Sequence, residues 1–583
     1  MKRSTLQLAI QLVLIVCLAT PGMPRVGEPT LEKNPDLLLS ILQQELHRAT
    51  KELAKSDPAP YFISYSIFDQ DALVIASSYG SLLNSFGGHR RSADVTMRVG
   101  NHALDNTHEG NRSSGMTSGS LPVGGDADAI ARVLWQLTDR EYKRAAPAFL
   151  NAKTSAAVRT EEEDKSPDFS EESPQVKVDN ASPDFRMNQP GWEEKLRRYS
   201  SHFRKYPEVY ASSVTLQVDK TRFYFVSSEG SGVVSPSTMA RLVIQAETVA
   251  DDGMELLRVE TFQAASPDQL PADNEIAARI DKMAADLKAL RAAPLAEPFA
   301  GPALLSGRAA GVFFHEVLGH RLEGHRQRDE QEGQTFTKKV NQQVLPAFLS
   351  VVDDPTQREL GGVRLSGRYD FDDEGVPASR VEVVRDGVLK NFLMSRMPVK
   401  NFSKSNGHGR AQPGHMPTGR QGNLIVTSSR TIKDAELRQQ LIEEVKKQGK
   451  PYGLYFEDVQ GGFTLTTRML PQAFQVLPVI VWRVYADSRP DELVRGVDIV
   501  GTPLAALNRI LLTGDTLQVF NGICGAESGS VPVSATAPAM LFSEIEVQKR
   551  GHGRTRPPIL PPPGFESRAP GASLNQTPGG TRP

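Results

Sequence analysis

Cysteine is scarce in this chain, whose 583 residues include only Cys17 and Cys524. Two cysteines exclude the disulfide framework that holds many small secreted domains together. If an N-terminal segment containing Cys17 is removed, Cys524 has no partner for an internal disulfide. A lone thiol in an oxidising compartment is reactive unless it is buried or bound to a metal. We therefore expect Cys524 to be a metal ligand or a buried apolar side chain.

Long apolar runs are also scarce, and the one at residues 6–19 follows Lys2 and Arg3. Together with the small residues of Thr20-Pro21-Gly22, this order is typical of a signal peptide, which we place at residues 1–24. The run is short for a membrane span, and no other stretch reaches about 18 apolar residues. The sequence therefore predicts an exported protein, periplasmic or extracellular, without a stable membrane span after signal removal.

Neither sign of charge is in excess, because the formal net charge is −2. This balance gives no indication of a nucleic-acid partner. With 39% hydrophobic and 23% charged residues, the composition is that of an ordinary soluble globular protein. A chain of this length exceeds what one hydrophobic core usually supports, so we expect at least two domains.

The order of predicted elements indicates an α+β fold with two domains. We place an N-terminal helix–sheet domain at 25–295, a C-terminal β-rich domain at 296–550 and a disordered Pro/Gly-rich tail at 551–583. A polar, proline-containing stretch at about 153–188 is interpreted as an exposed, flexible insertion in the first domain. The first domain contains no catalytic constellation in this interpretation.

Alternation and turn residues predict the local structure of both halves. Separate strands are predicted at 61–68 and 72–78, with turns at Asp69-Gln70-Asp71 and at Gly87-Gly88. Arg385-Asp386-Gly387, between two strand-like runs, predicts a hairpin. Further predictions are helices at 35–53, 126–151, 274–292 and 502–514, and strands at 95–99, 212–218, 222–227 and 241–249.

The central stretch carries two histidines and a glutamate within an apolar run. Ser306 is a candidate N-cap, and the apolar residues after it cover more than one face of a helix, which predicts a buried helix. His315, Glu316 and His320 are costly there unless a metal ion or a hydrogen-bond network satisfies them. With a metal, Glu316 would be the general base that takes a proton from water. The alternative is a hydrogen-bonded cluster in the core.

The two histidines are five residues apart, one more than in the HExxH motif of zinc proteases. Five residues turn an ideal helix by about 140°, so both imidazoles could not reach one ion. A π-bulge, or a helix end at Gly319, would remove this difficulty. We therefore expect an irregular turn at Leu318 and Gly319.

Two residues are candidates for a third metal ligand. His325 lies ten residues after His315, as the third histidine does in HExxHxxGxxH proteases, but the second histidine and the glycine are displaced from that pattern. Cys524 lies in a glycine-containing stretch that we expect to be a loop, and a thiolate is a good zinc ligand. The residues alone leave both open.

Four ordered motifs resemble the TldD/PmbA family of zinc metallopeptidases over most of the second half of the chain. The motifs lie at 314–324, at 371–377, at 386–391, and at Cys524-Gly525 followed by Ser530-Val531-Pro532-Val533 and Pro538. The resemblance implies that His315, His320 and Cys524 hold zinc and that Glu316 is the catalytic base. It also implies a homodimer, or a heterodimer with a related subunit, that encloses the sites and admits extended or unfolded polypeptides.

Some residues depart from the family pattern or lie beside it. His325 stands where an acidic residue is expected, and His408 lies in a variant of the family's Gly-Asn-Gly-Arg segment. We interpret both as loop histidines in solvent, or as groups that contact substrate or add a metal-binding group. Arg410 and Arg420 would contact a peptide carboxylate or face water, and residues 372–374 are interpreted as a solvated acidic turn.

Peptide-bond hydrolysis is therefore the predicted activity, with two alternatives. One is a non-catalytic exported binding or assembly protein with a structural metal, in which His325 would be a fourth ligand beside His315, His320 and Cys524. The other is an amidase that acts on cell-envelope peptides.

Overall fold

The computed structural model describes residues 37–565 except 109–114, 159–163, 180, 182–186, 330, 470–472, 488, 552–556 and 559. The predicted signal peptide lies outside these residues, as does most of the predicted tail. Within the described part of the chain, no helix is long and apolar enough to cross a membrane. The helices and strands form an α+β fold, as the sequence predicts.

The first half is built on one mainly antiparallel sheet. Its elements in chain order are α1 (Leu37–Leu53), β1 (Pro60–Ser78), β2 (Ser81–Val99), β3 (Met116–Ser120), α2 (Ala127–Val158), β4 (Val176–Val178), α3 (Gln189–Ser201), β5 (Ala211–Ser227), β6 (Gly232–Val249), β7 (Glu255–Ala264) and α4 (Asp273–Ala292). The strand order is β3-β2-β1-β5-β6-β4, and β7 also pairs with β6. Helix α3 and strand β7 were not predicted.

The strands of this sheet are longer than predicted. The turn expected at Asp69-Gln70-Asp71 is wrong, because β1 pairs without interruption through it, and Asp69 forms an ion pair of 3.0 Å with Arg91 on β2. The turn expected at Gly87-Gly88 is also wrong, since both glycines lie within β2. The chain reverses at Tyr79 (φ 44°) and Gly80 (φ 82°), as in the two-residue hairpin turns with positive φ.

The two faces of the sheet have different neighbours. Along one face, α1 and α2 pack near Ile63 at one end of β1, and α3 and α4 pack near Ile75 at the other end. This arrangement agrees with the predicted helix–sheet domain. The opposite face carries Phe62 and Phe225, which border a small cavity together with Glu374 of the second half. The face without helices is therefore turned toward the second half of the chain.

The stretch predicted as an exposed insertion is exposed at β4 but buried at Asp168, Phe169 and Ser170. Helix α2 continues to Val158, and β4 pairs with β6. Asp168 is buried and accepts a bond of 2.7 Å from Arg328, while the backbone N–H of Ser170 donates to the carbonyl of Arg396. These contacts join the two halves at Asp168 and Ser170.

A second sheet dominates the C-terminal half. Its elements are β8 (Phe299–Leu305), α5 (Gly307–Val317), α6 (His325–Arg328), β9 (Leu349–Asp353), β10 (Glu359–Leu360), β11 (Val363–Arg364), β12 (Val381–Arg385), β13 (Val388–Leu389), β14 (Gly409–Arg410), β15 (Thr418–Gly419), β16 (Asn423–Ser428), α7 (Asp434–Lys447), β17 (Tyr452–Thr464), β18 (Phe474–Tyr485), β19 (Glu492–Val494), β20 (Val497–Gly501), α8 (Pro503–Leu507), β21 (Ile510–Ala526) and β22 (Gly529–Lys549). Strand β8 pairs with both β17 and β22, which closes β22-β20-β18-β17-β8 into a ring. Helix α5 packs against β22, β17 and β21.

In the C-terminal half, turn residues predicted one hairpin correctly, whereas the ends of other elements differ from the prediction. The hairpin at Arg385-Asp386-Gly387 is confirmed, with φ of 47° at Asp386 and 79° at Gly387. The helix predicted at 502–514 ends at Leu507, and Gly514 lies within β21. Cys524 also lies on β21 rather than on a loop, because the strand continues to Ala526 in register with β22.

Candidate metal site

The site begins at the C-terminal end of α5. The hydroxyl of Ser306 accepts a bond of 3.1 Å from the N–H of Ala309, which confirms it as the N-cap. The α-helix ends at Val317, and Gly319–Leu322 continues as a 3₁₀ turn, so the irregular turn is present without a π-bulge. Because His320 lies outside the α-helix, its ring can approach that of His315, and the ring centroids are 4.8 Å apart.

The third member of the cluster comes from strand β21. The Sγ atom of Cys524 lies 3.4 Å from Nε2 of His320. One side-chain donor atom from each of His315, His320 and Cys524 falls within 4.8 Å of the others, and all three residues are buried. The end of α5, the 3₁₀ turn after it and strand β21 therefore bring two imidazoles and a thiol close together.

Electrostatics favour the thiolate form of Cys524. Burial alone would raise the pKa of this thiol, but the neighbouring imidazoles of His320 and His315 hold it well below its usual value. Burial opposes the protonation of both histidines, while the thiolate beside them raises the pKa of each. The thiolate is the form that binds metals.

The donor set fits a zinc ion. Two nitrogens and one sulfur are typical zinc donors, and three protein ligands leave a fourth position open. Among the described residues, Nδ1 of His315 and Oε2 of Glu316 are buried without a hydrogen-bond partner. Buried polar atoms without partners are costly, and a bound ion with its ligands would use such atoms.

Glu316 lies beside the cluster. Its Oε2 is 3.9 Å from Nε2 of His320, and its side chain is buried. Gly462 on β17 makes room for it, because a Cβ at that position would lie 2.6 Å from Cγ of Glu316. Burial raises the pKa of the Glu316 carboxyl. A carboxyl with a raised pKa next to a possible metal position can act as a proton carrier.

Glu323 and Arg420 surround the cluster and connect two of its members. Oε1 of Glu323 lies 3.1 Å from Nδ1 of His320 and 3.4 Å from Nε of Arg420. Arg420 in turn donates to Sγ of Cys524 at 3.2 Å and to its carbonyl at 2.9 Å. Burial would raise the pKa of Glu323, but His320 and Arg326 lower it to about 2.

Glu323 was not among the predicted site residues. Arg420 is buried, so the alternative that it faces water is wrong, whereas its contact with a peptide carboxylate stays a prediction. A signal for Glu323 was available, because it lies three residues after His320. Nothing local to Arg420 indicates that it reaches Cys524, since the two residues are 104 positions apart.

His325 does not join the metal cluster in the structure. It is buried and forms a close ion pair with Glu527, in a separate group with Glu323. The prediction of a loop histidine in solvent is therefore wrong for His325. Its role toward substrate stays a prediction.

His408 and Arg410 are also buried, so their predicted exposure is wrong. Nε2 of His408 lies 3.2 Å from Asp353, and its Nδ1 lies 3.1 Å from the carbonyl of Asn406. Arg410 donates to the carbonyl of Gln421 at 2.7 Å. Both side chains are used in internal contacts, and a role in substrate binding stays a prediction.

The acidic turn at 372–374 is not solvated, contrary to the prediction. Asp372 is buried and accepts bonds from the N–H groups of Val376 and Gly409. Burial raises the pKa of Asp373 to about 6 and that of Glu374 to about 7. The reason is tertiary, because the face of the first sheet that carries no helices covers this turn.

A cleft of about 1150 Å³ opens onto the cluster. His315, Glu316, His320 and Cys524 all line it. Its other walls come from β6 and β7 of the first half, from the hairpin of β10 and β11, and from β17 and β21. The site therefore lies between the two halves of the chain and is shaped by both.

Comparison with known proteins connects the second half of the chain to one family. A family model described as the PmbA/TldA metallopeptidase C-terminal domain matches residues 300–549. A "Metalloprotease TldD homolog" of Haemophilus influenzae is 29% identical over 251 residues, which are 42% of this chain and 48% of that protein. A "Zinc metalloprotease TldD homolog" of Saccharolobus solfataricus is 26% identical over 249 residues, or 42% of this chain and 51% of that protein.

The chain spans about half the length of these curated relatives. A solved structure, TldE from Thermococcus kodakarensis, superimposes with a TM-score of 0.56 at 11% identity, and the match covers 87% of this chain and 100% of that one. At this identity the likeness shows a common fold across both halves.

Proposed function

Because residues 300–549 match the PmbA/TldA metallopeptidase C-terminal domain, we propose that this chain is a zinc-dependent peptidase that hydrolyses peptide bonds in extended or unfolded polypeptides. The observation that carries the proposal is the convergence of His315, His320 and Cys524, whose donor atoms lie within 4.8 Å of one another. Glu316, buried beside them, supplies a carboxylate that a purely structural metal site would not need.

His315, His320 and Cys524 would hold the zinc ion. When bound, zinc supplies a Lewis acid that polarises a carbonyl group and lowers the pKa of water. The open fourth position of this donor set supports a catalytic rather than a structural site. In the described residues, the separate grouping of His325 with Glu323 and Glu527 speaks against four protein ligands.

Glu316 would carry the proton during hydrolysis. As a carboxylate, it takes a proton from the attacking water and returns that proton to the leaving amine. Burial raises the pKa of Glu316. The pKa of this carboxyl is therefore closer to neutral pH, where a general base works best. The absence of a hydrogen bond to Oε2 from any described residue leaves this atom available to water.

The size of the cleft supports a polypeptide substrate. Sites for small molecules enclose about 300–1,000 Å³, and this cleft, at about 1150 Å³, is larger and runs between two halves of the chain. The cluster is buried, so a folded substrate would not reach it, whereas an extended segment would. We further propose export from the cytoplasm, from residues 1–24, and pairing with a second copy or a related subunit, from the likeness to TldE.

The test combines metal content with activity. Zinc per chain and hydrolysis of an unstructured peptide are measured for the wild type, Cys524→Ala and Glu316→Gln. We expect one zinc per chain in the wild type, loss of zinc and activity in Cys524→Ala, and retained zinc without activity in Glu316→Gln. His47→Ala, a change at an exposed histidine of α1, is the control and should keep both.

The outcomes separate the alternatives. Wild-type protein without zinc and without hydrolysis would refute the proposal. Retention of zinc in Cys524→Ala would remove the cysteine from the ligand set. Hydrolysis of cell-envelope peptides but not of unstructured polypeptides would favour the amidase alternative.

A further inference from the structure

Two neighbouring side chains on the wall of the cleft carry hydrogen-bond donors for which the described residues offer no acceptor, although Oε1 of Gln263 accepts a close bond from the hydroxyl of Ser366. Arg241 on β6 and Gln263 on β7 are directly opposite each other in the antiparallel register. Both line the cleft that contains the metal cluster. Among the described residues, Nε of Arg241 and Nε2 of Gln263 are buried and have no hydrogen-bond partner.

The position of this pair follows from the alternation of β6. Leu242 and Ile244 are buried against α4, so Arg241 and Val243 lie on the opposite face, which carries no helix. Directly opposite residues on one face have Cβ atoms about 5 Å apart, so one group can contact both side chains. Arg241 and Gln263 therefore present their donors side by side to the cleft.

No described residue forms an ion pair that compensates the charge of Arg241. Arg241 forms no ion pair within the part of the chain that the structure describes, and its pKa is lowered by burial alone. A partly buried guanidinium without an anion is costly. A structural role would normally be accompanied by a carboxylate, as for Arg258 on β7, which pairs with Asp458 at 2.8 Å and with Asp286 at 3.3 Å.

The surroundings of the pair are electropositive. Arg364 lines the same cleft, and burial together with the guanidiniums of Arg368 and Arg358 lowers its pKa. Five carboxylates line the cleft. Glu260, Asp458 and Glu527 are each paired with an arginine. Glu316 lies beside the metal cluster, and Glu275 is exposed. On the wall that carries Arg241 and Arg364, which form no ion pair with any described residue, the charge available to a ligand is therefore positive.

We propose that Arg241 and Gln263 form a carboxylate-binding subsite, so that the preferred substrates are polypeptides with an acidic group in the segment that enters the cleft. The guanidinium would pair with the carboxylate, and the amide N–H of Gln263 would donate to the same group. The carboxylate can come from an aspartate or glutamate side chain or from the C-terminus of the substrate. As a statement about substrates, this inference rests on the proposed peptidase function.

Binding tests the subsite independently of hydrolysis. Fluorescence anisotropy is measured for the full-length Glu316→Gln protein with three peptides of otherwise identical sequence: one with glutamine and an amidated C-terminus, one with glutamate and an amidated C-terminus, and one with glutamine and a free C-terminus. We expect one or both carboxylate peptides to bind about tenfold more tightly than the neutral one, as for hydrogen bonds to charged groups. If the glutamate peptide binds more tightly, the subsite takes an acidic side chain. If the peptide with a free C-terminus binds more tightly, it takes the C-terminal carboxylate.

Three further substitutions in the same background assign the preference to the pair. Arg241→Met should bring the affinity ratio of acidic to neutral peptide close to one. Gln263→Glu should do the same, because a carboxylate beside Arg241 would occupy the guanidinium. Arg380→Met, at an exposed arginine outside the cleft, should leave the ratio unchanged. Circular dichroism shows that each variant is folded.

Equal binding of all three peptides, or a preference that survives both Arg241→Met and Gln263→Glu, would overturn the subsite. These results concern binding only. A preference for acidic peptides in a wild-type protein that hydrolyses none of them would uphold the subsite and refute the peptidase. Hydrolysis without any preference for acidic peptides would uphold the peptidase and refute the subsite.

Discussion

Nδ1 of His320 lies 3.1 Å from Oε1 of Glu323, a carboxylate that is fully buried three residues later in the chain. This contact leaves Nε2 of His320 directed toward Sγ of Cys524. A carboxylate behind a metal-binding histidine fixes the orientation and tautomer of the ring and increases its basicity. Glu323 therefore orients His320 for the proposed zinc ion.

Glu323→Gln should weaken zinc binding. The amide keeps the shape of the side chain but removes the negative charge that holds His320 and Arg420. Loss of such a partner typically costs about 10- to 100-fold in metal affinity. Competition with a chromophoric chelator measures the zinc affinity of the purified variant.

The control for this change is Glu45→Gln. Glu45 is also buried and paired with an arginine, Arg48, but it lies on α1, away from the cluster. Zinc affinity should be that of the wild type in Glu45→Gln. Equal affinities in the two variants would show that the contact between Glu323 and His320 has no part in metal binding.

The helix that carries His315 also depends on a close approach to a strand. A Cβ on Gly311 would lie 2.8 Å from the carbonyl oxygen of Ala535 on β22. Alanine favours a helix over glycine by about 1 kcal/mol, whereas overpacking against a rigid neighbour costs about 1–3 kcal/mol. Because the obstacle is backbone, we expect the overpacking to dominate in Gly311→Ala.

Thermal and urea unfolding measure this effect. Gly311→Ala should lower the free energy of unfolding by up to about 2 kcal/mol, the difference between these opposing contributions. Gly88→Ala is the matched control, because no atom lies within 4 Å of the added methyl group. The free energy of unfolding of Gly88→Ala should differ from that of the wild type by no more than about 0.5 kcal/mol. A Gly311→Ala variant that is more stable than the wild type by about 1 kcal/mol would show that α5 can move away from β22 at no cost.

Local sequence signals predicted the parts of the molecule that are determined locally. The N-cap at Ser306 and the hairpin at Asp386-Gly387 depend on a few adjacent residues, and both were correct. The spacing of His315 and His320 indicated an irregular turn because an ideal helix could not bring the rings together. The turn was found at that place.

Tertiary contacts decided what the sequence did not predict. Asp69 has the character of a turn residue, but its ion pair with Arg91 on the neighbouring strand keeps it within β1. Asp372 has the character of a surface residue, but its carboxylate accepts backbone hydrogen bonds from Val376 and Gly409 beneath the other half of the chain. Arg420 reaches Cys524 only because β21 passes beside it. None of these partners is near in sequence except Val376.

A buried carboxyl in the first half makes the stability of the protein depend on pH. Glu141 on α2 is fully buried, and Oε2 accepts a bond of 2.5 Å from Thr117. Burial raises the pKa of this carboxyl to about 7, against the lowering effects of Thr117 and Arg144. The folded state therefore binds a proton more tightly than the unfolded state, in which the pKa is about 4.5.

The sign of the effect follows from this difference. The contribution of Glu141 to stability is complete below about pH 4.5 and is lost as the pH rises through 7. Glu141→Gln removes the ionisation, and its amide oxygen can still accept the bond from Thr117. We expect the variant to be more stable than the wild type by about 3 kcal/mol at pH 8, with the difference shrinking toward zero at pH 4.5. Urea unfolding at both pH values measures it, and a difference that does not change with pH would mean that Glu141 does not ionise in this range.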